Sequence, residues 1–241
     1  MTMNTDKEIY KNYISTHFGS FHNFDKEIYT IFRLFKRNHL RYLPKNKDAK
    51  ILDLGCGMGH FLYFLEKEGY NNYLGIDISP ENIKFCKDKG FNVVQDDILE
   101  FLMENQKADV FILNDIIEHF SIDDAIKLLK MIYSNLNLGG KVIIKTTNGA
   151  NPLLGNSSVY QDITHKFCFT QISLAQILKV SGFNKIEIFP QDIYIFTYNP
   201  INYVAKMVVF LLNQIFWLLF MLYGKKTITI FDKHLIAVAE K

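Results

Sequence analysis

Cysteine is scarce in this sequence: the 241 residues include three, Cys56, Cys86 and Cys168, and they are widely spaced. A small, odd number argues against a disulfide framework and against a zinc site, and it predicts a reducing compartment. Net charge is also nearly absent, at +2, and no long basic block stands out, so we expect no nucleic-acid partner. The N-terminus lacks the apolar run of a secretory signal, which together with the cysteines predicts a cytoplasmic protein.

Apolar residues are plentiful: they make up 49% of the chain, and aromatic residues 15%, so a globular core is expected rather than disorder. A chain of this length can form one α/β domain with a substantial core, or at most two small ones. No internal repeat or low-complexity linker divides the sequence. We therefore expect a single domain over residues 1–241.

The most informative stretch is 50–61, which reads K-I-L-D-L-G-C-G-M-G-H-F. The apolar run at 51–54 suits a buried parallel strand, and residues 60–68 have the spacing of a helix. The glycines between them let bare backbone and a helix N-terminus approach a ligand. Asp53 lies at the end of the strand, and Asp77 follows about 20 positions later, as nucleotide-type sites require. The pattern predicts a ligand site at the carboxyl end of this strand.

The rest of the core alternates between strands and helices, which is typical of a doubly wound parallel sheet. Further strands are expected at 73–78, 91–95, 108–113 and 141–146, with helices at 80–89, 98–105, 123–136 and 172–180. Strands at 185–189, 227–230 and 235–239 are expected to complete the sheet. Such sheets bind ligands at the carboxyl ends of their first strands, where the glycine turn lies.

The segment Asp53–Gly59, D-L-G-C-G-M-G, resembles the first motif of class I S-adenosylmethionine (SAM) methyltransferases. A dinucleotide fingerprint would need a third glycine where His60 stands. The resemblance extends from about Ala49 to Phe183 and implies a Rossmann-like fold with a seven-stranded sheet, SAM as cofactor and methyl transfer as reaction. It divides the expected domain into an N-terminal helical cap (1–48), a SAM-binding core (49–190), an apolar helical insertion (200–224) and closing strands (225–241).

The resemblance assigns the amino-acid tail of SAM to the first strand and its turn. Gly55, Cys56 and Gly57 would bring backbone close to the tail, an approach that only small residues permit. Asp53 would help to hold the ammonium group, directly or through water. Backbone carbonyls at Asn114, where the fourth strand ends, would face the same group.

The resemblance assigns the nucleoside of SAM to the second and third strands. Asp77 would accept hydrogen bonds from both ribose hydroxyls, since one carboxylate has two acceptor oxygens. Ile78 and Ile98 would lie against the adenine ring. Register favours Asp97 as the partner of the adenine amino group, with Asp96 as a close rival, and either acid could instead cap a helix.

Residues 115–119, D-I-I-E-H, are the first candidate for catalysis. If the segment is helical, Asp115, Glu118 and His119 share one face. The segment resembles the Glu-His motif of ubiquinone-pathway O-methyltransferases and of small-RNA 2′-O-methyltransferases, in some of which these groups hold a divalent metal. Carboxylates and imidazoles would suit Mg²⁺ or a similar ion, with His165 as a further ligand. A structural role for Glu118 and His119 stays open.

Residues 160–165, Y-Q-D-I-T-H, are the second candidate, and they follow the fifth strand. They resemble the Asp-x-Thr-His segment of SAM enzymes encoded with glycan and polysaccharide biosynthesis. Histidine titrates near neutral pH, so His165 is a candidate general base as well as a metal ligand. Asn148, beside the end of the fifth strand, is a candidate for orienting the acceptor.

Two segments outside the core carry further expectations. In residues 6–43 we expect two helices with a break at 17–20. They would lie over the substrate side, where Tyr13, His17 and His22 are candidates for lining a pocket.

Residues 207–223 are almost wholly apolar. Because the chain must return to the same sheet afterwards, we expect a helix or helical hairpin that buries its apolar faces instead of crossing a bilayer. It would pack on the domain, on a second copy in a homodimer, or in the inner membrane surface.

These features predict a SAM-dependent O-methyltransferase acting on a sugar, a nucleotide-linked sugar or a similar small polar acceptor. Two rivals remain: an enzyme for a quinone or lipid acceptor that docks on the membrane, and a non-catalytic partner subunit that binds SAM.

Overall fold

The computed structural model describes residues 9–10, 24–193 and 200–241. Its strands are β1 (Ile51–Leu54), β2 (Tyr73–Asp77), β3 (Val93–Gln95), β4 (Ala108–Asn114), β5 (Leu136–Thr147), β6 (Lys185–Pro190) and β7 (His234–Glu240). They form one seven-stranded sheet in the order β3-β2-β1-β4-β5-β7-β6. β7 runs antiparallel to both neighbours, and the other neighbouring pairs are parallel. The expected Rossmann-like doubly wound fold is confirmed.

Helices cover both faces of the sheet. They are α1 (Phe24–Asn38), α2 (His60–Lys67), α3 (Pro80–Asp88), α4 (Ile98–Met103), α5 (Ile122–Asn135), α6 (Gly155–Tyr160), α7 (Gln171–Val180) and α8 (Pro200–Leu222). The apolar faces of α1, α2 and α3 pack into one core on one side of the sheet. Those of α4, α5 and α7 pack into a second core on the other side. Burial on both faces explains why the β1 sequence is apolar apart from Asp53.

The sequence predicted most elements to within a few residues, with two differences in the sheet. β5 begins at Leu136, five residues before the expected start at Lys141. The strand expected at 227–230 is wrong, because the structure has no strand there. The side chain of Gln171 instead accepts the backbone N–H groups of Thr229 and Ile230, at 3.1 and 2.9 Å, and donates to the Thr227 carbonyl at 2.9 Å. The backbone groups that would join a sheet are therefore bonded to one amide side chain.

The apolar insertion is a single helix, α8, and the expected packing of its apolar faces on the domain itself is wrong. The expected packing on a second copy or in a membrane surface stays a prediction. None of its residues is buried within the described part of the protein. By length and composition the helix could cross a membrane. It precedes β7, which pairs with β6 over six residue pairs, from Lys185 with Glu240 to Pro190 with Leu235. The chain thus returns to the sheet, as expected.

The helical cap is described from Phe24 onward, apart from Ile9 and Tyr10. α1 packs its buried residues Phe24, Ile28 and Phe35 against the core beside α2. The expected break at 17–20, and the candidates Tyr13, His17 and His22, lie outside the described residues.

Candidate active site

The turn after β1 has the glycine conformations that the sequence predicted. Gly55, Gly57 and Gly59 have φ of +75°, +52° and +78°, in the left-handed region that side chains disfavour. A Cβ on Gly55 would lie 2.0 Å from the Ile116 side chain, so this glycine also permits close packing inside the protein. A Cβ on Gly57 would meet nothing within 4 Å. Gly57 therefore presents the open side of the turn.

Asp77 ties this turn to the end of β2. Its carboxylate accepts the Gly57 N–H at 2.8 Å, the Ser79 N–H at 2.8 Å and the Asn82 amide at 3.2 Å. Burial raises the pKa of Asp77, and these three donors oppose that shift. The side chain is therefore held in place at the edge where the parallel strands end.

Asp53 lies beside Asp77 with its side chain almost completely buried, at 2% exposure. Burial, and secondarily the negative charge of Asp77, raises the pKa of Asp53 to about 8. A buried acid of this kind is neutral at pH 7 unless a cation binds beside it.

The two acids after β3 are both engaged in local hydrogen bonds. Asp97 caps α4, because its Oδ1 accepts the N–H groups of Leu99 and Glu100 at 2.9 and 3.3 Å. Asp96 accepts the N–H of Asp97 at 2.8 Å. Both acids are half-buried, as are Ile78 and Ile98. The second carboxylate oxygen of each acid is not used by these bonds.

The segment after β4 differs from the expected helix. Residues Ile117–His119 form one 3₁₀ turn, and Asp115 before it has φ of +55°. The expectation that Asp115, Glu118 and His119 share one helix face is therefore wrong. Asp115 instead forms an ion pair with Lys145 of β5.

Glu118 is fully buried, which corrects its assignment as a catalytic and metal-binding group. Its Oε2 accepts a hydrogen bond from Thr146 at 3.0 Å. Burial, and then the charge of Asp115, raises the pKa of Glu118 to about 8, so the side chain is neutral at pH 7. A neutral, buried acid is a poor ligand for Mg²⁺, which prefers ionised carboxylates.

His119 and His165 come together, with ring centroids 4.7 Å apart. Thr164 donates its hydroxyl hydrogen to Asp162 at 2.6 Å, so it accepts from His119 Nδ1 at 2.8 Å. His165 Nδ1 donates to the Ser158 carbonyl at 2.8 Å. In both rings Nδ1 therefore carries a proton, and in the neutral form of each ring Nε2 keeps its lone pair. Burial, and then the neighbouring His165, lowers the pKa of His119 to about 4.

His119, Asp162 and His165 form the group that we call the histidine cluster. One ligand atom from each residue lies within 4.8 Å of the others, a spacing compatible with a metal ion. Among the described residues, Asp162 takes the place that the sequence assigned to Asp115 and Glu118. The Tyr10 hydroxyl lies 3.4 Å from His119 Nδ1, so Tyr10 lies beside the cluster.

Asn148 does not face an acceptor, and its assignment as a catalytic residue is wrong. Its side chain is 1% exposed. The amide nitrogen donates to the carbonyls of Ile230 and Asp232, at 3.0 and 2.9 Å, and the oxygen accepts the Ala150 N–H at 3.0 Å. Asn148 therefore holds the turn that precedes β7.

Sequence reasoning missed three residues at this edge: His39, Lys145 and His234. His39, at the end of α1, donates from Nε2 to the Asn114 side chain at 3.1 Å. Burial lowers the pKa of His39 to about 4, and burial together with the charge of Lys145 lowers that of His234 to about 3. His39 and His234 are both close enough to the Asp115–Lys145 ion pair to interact with its charges.

Several buried polar atoms around this ion pair lack a hydrogen-bond partner within the described part of the chain. They are His39 Nδ1, Asn114 Nδ2, Glu118 Oε1 and His234 Nδ1. Buried polar atoms are rarely left unpaired in native proteins. A ligand with several hydroxyl groups, each both donor and acceptor, has the chemistry to satisfy them. We call this set the acceptor group.

Two surface grooves lie elsewhere. One of about 660 Å³ runs between α4 and α5, and one of about 490 Å³ lies at the amino end of β4 and β5, beside Arg41 and Leu138. Neither is lined by the glycine turn, the histidine cluster or the acceptor group. We place the site at the carboxyl edge because the chemically suited side chains converge there.

The strand order, the glycine turn after β1 and Asp77 at the end of β2 define the class of Rossmann-like SAM methyltransferases. A family described as a methyltransferase domain matches residues 27–188. The chain belongs to this family, and SAM is its cofactor.

Known proteins with similar sequences or structures agree with this family assignment. A solved SAM-dependent methyltransferase from Archaeoglobus fulgidus is 27% identical and superposes with a TM-score of 0.63, covering 87% of this chain and 94% of its own. Human tRNA N(3)-cytidine methyltransferase METTL6 is 26% identical over 205 residues, 75% of this chain and 71% of that protein. Mouse EEF1A lysine methyltransferase 2 is 35% identical over 79 residues, 30% of this chain and 32% of that protein. This chain thus aligns with about a third of the mouse relative.

Proposed function

We propose that this protein transfers a methyl group from SAM to a hydroxyl oxygen of a small polar acceptor, such as a sugar or a nucleotide-linked sugar. When bound, SAM supplies an electrophilic methyl group on its sulfonium. The observation that carries the proposal is the histidine cluster, in which two imidazoles lie beside a carboxylate, at the same sheet edge as the glycine turn and Asp77.

The chain's residues fit the cofactor. Asp77 offers a positioned carboxylate to the ribose hydroxyls, and Gly57 leaves the turn open for the amino-acid tail. Asp53 is a buried carboxyl group, and no hydrogen bond to its side chain is found among the described residues. The ammonium group of the cofactor would pair with Asp53 and favour its ionised form. Asp97 and Ile98 are assigned to the adenine.

The acceptor group supports a hydroxyl-rich acceptor. Three of its four unpaired atoms lie on side chains close enough to the Asp115–Lys145 ion pair to interact with its charges. The fourth lies on Asn114 of β4, which is the register partner of Lys145 of β5. A hydroxyl-rich acceptor has groups that can pair with such atoms, whereas a purely apolar acceptor has none. The resemblance of residues 160–165 to enzymes encoded with glycan biosynthesis supports a role in making a surface glycan.

Methyl transfer to a hydroxyl requires removal of its proton, and we assign this step to His165. Its Nε2 lone pair is free to accept the proton, because Nδ1–H is held by the Ser158 carbonyl. The Asp162 carboxylate lies in the same cluster and would stabilise the imidazolium that forms. Methyl transfer also needs the acceptor oxygen held in line with the sulfonium, which the acceptor group would achieve.

The same cluster gives His165 an alternative role as a metal ligand. Two neutral imidazoles and one carboxylate suit Zn²⁺, Mn²⁺ or Fe²⁺ better than Mg²⁺, which prefers oxygen ligands. Such an ion would supply Lewis acidity that favours the ionised acceptor hydroxyl.

A quinone or lipid acceptor is the second candidate, and the exposed apolar α8 favours it. Either acceptor is compatible with a protein at the cytoplasmic side of a membrane, which we propose as its location.

Formation of S-adenosylhomocysteine during a screen of nucleotide sugars tests the proposal. We expect turnover with at least one acceptor and, for His165→Ala, a loss of at least about 100-fold in kcat with unchanged SAM affinity. Ile163→Ala is the matched control, because Ile163 lies in the same loop with its side chain 85% exposed.

A chelator separates the two roles of the histidine cluster. Full activity after chelation supports His165 as a base without metal, and activity restored by Zn²⁺ or Mn²⁺ supports a metal site. SAM binding without turnover on any acceptor would contradict the proposal and favour a non-catalytic partner subunit.

A further inference from the structure

α8 is attached to the domain along one narrow strip. Most of its half-buried residues recur every three or four positions, as expected for one side of a helix. They are Asn202, Ala205, Val209, Leu212, Asn213, Phe216, Phe220 and Met221. Phe216 and Phe220 contact Phe231, with ring centroids 6.1 and 4.9 Å away. Asn213 donates to Asp232 at 3.2 Å. These contacts run along the second half of the helix.

The remaining sides of α8 are apolar and exposed. They carry Ile201, Tyr203, Val204, Met207, Val208, Phe210, Leu211, Ile215, Trp217, Leu218, Leu219 and Leu222. At 3.6 residues per turn these positions cover about two thirds of the helix circumference. An exposed apolar surface of this extent marks an interaction site.

The charges around α8 are mainly basic. No acidic residue occurs from 200 to 231, whereas Lys206 lies near the start of the helix and Lys225 and Lys226 follow its end. Lys206 shares the Asp192 carboxylate with Arg37 of α1, at 2.9 and 2.6 Å. The apolar surface is therefore bordered by cations at both ends, which complements an anionic surface.

These features favour a lipid surface over a second copy of this chain as the partner that covers α8. A paired helix would cover only the side that faces it, and much of the exposed apolar circumference would stay in water. Pairing would also bring lysines together, since both ends of α8 are basic. Immersion in a lipid interface covers all the exposed sides and places the lysines among anionic headgroups.

The anchoring of α8 also sets its orientation. The ion pair at Lys206 and the contacts of Phe216 and Phe220 hold the helix at both ends against the domain. β7 begins at His234, shortly after the helix, and returns to the sheet. The helix can therefore lie in the membrane plane but cannot cross the bilayer.

We propose that α8 is a membrane dock, which inserts its exposed apolar sides into the headgroup boundary of an anionic bilayer. Phe231, against which α8 packs, accepts a hydrogen bond from Asn151 at 2.6 Å, just beyond the carboxyl end of β5. Docking would thus hold the carboxyl edge of the sheet beside the membrane surface. The proposal does not depend on the acceptor or on the reaction.

Trp217 makes the test direct, because it is the chain's one tryptophan and is 42% exposed on α8. We expect its emission to shift to the blue with phosphatidylglycerol vesicles, and the protein to float with them. Binding to phosphatidylcholine vesicles should be at least about 10-fold weaker, because the attraction between the lysines and anionic headgroups is lost.

Variants locate the binding surface. Phe210→Glu/Leu218→Glu places charges on exposed positions and should lower vesicle partitioning at least about 10-fold, with unchanged circular dichroism and SAM affinity. Leu138→Glu is the control, since Leu138 is 95% exposed on β5 outside α8 and should leave binding unchanged.

Two results would overturn the membrane dock. One is the absence of both flotation and a Trp217 shift at millimolar anionic lipid. The other is a lipid-free dimer that dissociates in Phe210→Glu/Leu218→Glu, which would show that a second copy covers α8.

Discussion

The Asp77 carboxylate accepts a hydrogen bond from the backbone N–H of Gly57 at 2.8 Å. This bond connects the end of β2 to the open side of the turn after β1. It keeps the turn in its left-handed conformation beside the carboxylate assigned to the ribose. Two parts of the proposed cofactor site are thereby held together in the free protein, which would reduce the ordering cost of binding.

The glycines of this turn should respond differently to substitution. Gly55→Ala should destabilise the protein by about 2–4 kcal/mol, because its Cβ would overlap Ile116 in addition to the strain of a positive φ. Gly57→Ala should cost only about 1–2 kcal/mol, but should weaken SAM binding, because its open side faces the proposed cofactor.

Gly69→Ala is the control for the glycine pair, since Gly69 has φ of +83° and open surroundings outside the site. It should lose stability like Gly57→Ala and bind SAM like the wild type. Denaturant unfolding and calorimetric titration measure the two quantities. Equal stability of Gly55→Ala and Gly69→Ala would contradict the packing against Ile116.

Asp53 should release a proton when SAM binds. In the free protein burial raises its pKa to about 8, and the cofactor's ammonium group would favour the ionised form. Titration at pH 7 in buffers of different ionisation enthalpy should show about one proton released by the wild type and none by Asp53→Asn. Equal proton release by both proteins would show that Asp53 does not pair with the cofactor.

The same group makes the stability of the cofactor-free protein depend on pH. The unfolded chain loses the Asp53 proton near its ordinary pKa of 3.8, whereas the folded protein keeps it to about pH 8. Between these values the folded state binds more protons, so its stability should fall as pH rises through the window. Asp53→Asn should reduce this slope in urea unfolding measured from pH 5 to 8.

Asn148→Ala should lower the stability of the folded protein. It removes two donors from the carbonyls of Ile230 and Asp232 and one acceptor from the Ala150 N–H, so it should cost about 2–4 kcal/mol. Asn137→Ala, at an exposed amide, should cost less than about 0.5 kcal/mol. A stable Asn148→Ala protein with lowered kcat would restore the role in orienting the acceptor.

The strand, turn and acid proposed to hold the cofactor were predictable from the sequence because their signals are local. The strand at 51–54, the glycine turn and the following helix are adjacent in the chain, and Asp77 lies at the end of the next strand. Backbone conformation and strand order place these groups, so apolar periodicity and glycine spacing are sufficient to predict them.

The catalytic half was less predictable because it depends on which way side chains face. The i,i+3 and i,i+4 spacing of Asp115, Glu118 and His119 assumes an α-helix, but the segment forms a 3₁₀ turn that buries Glu118. Asp162 enters the cluster from the loop that follows α6, and Thr164 links it to His119. The one sequence signal for this link was the Asp-x-Thr-His spacing itself.

Tertiary contacts explain the remaining differences between the predicted and the observed structure. A strand was expected at 227–230 to complete the sheet, but the Gln171 side chain binds the backbone there. The apolar composition of α8 suggested burial, but the described domain covers only one strip of it. His39 reaches Asn114 across 75 positions of sequence, and no local pattern predicts such a contact.

Calorimetric titration of SAM into the wild type, Asp77→Ala and Asp88→Ala tests the central claim most directly, namely that SAM binds where the glycine turn meets Asp77. The account predicts saturable binding to the wild type, affinity at least about 10-fold lower for Asp77→Ala, and no change for the exposed Asp88→Ala. Wild-type affinity in Asp77→Ala would contradict it.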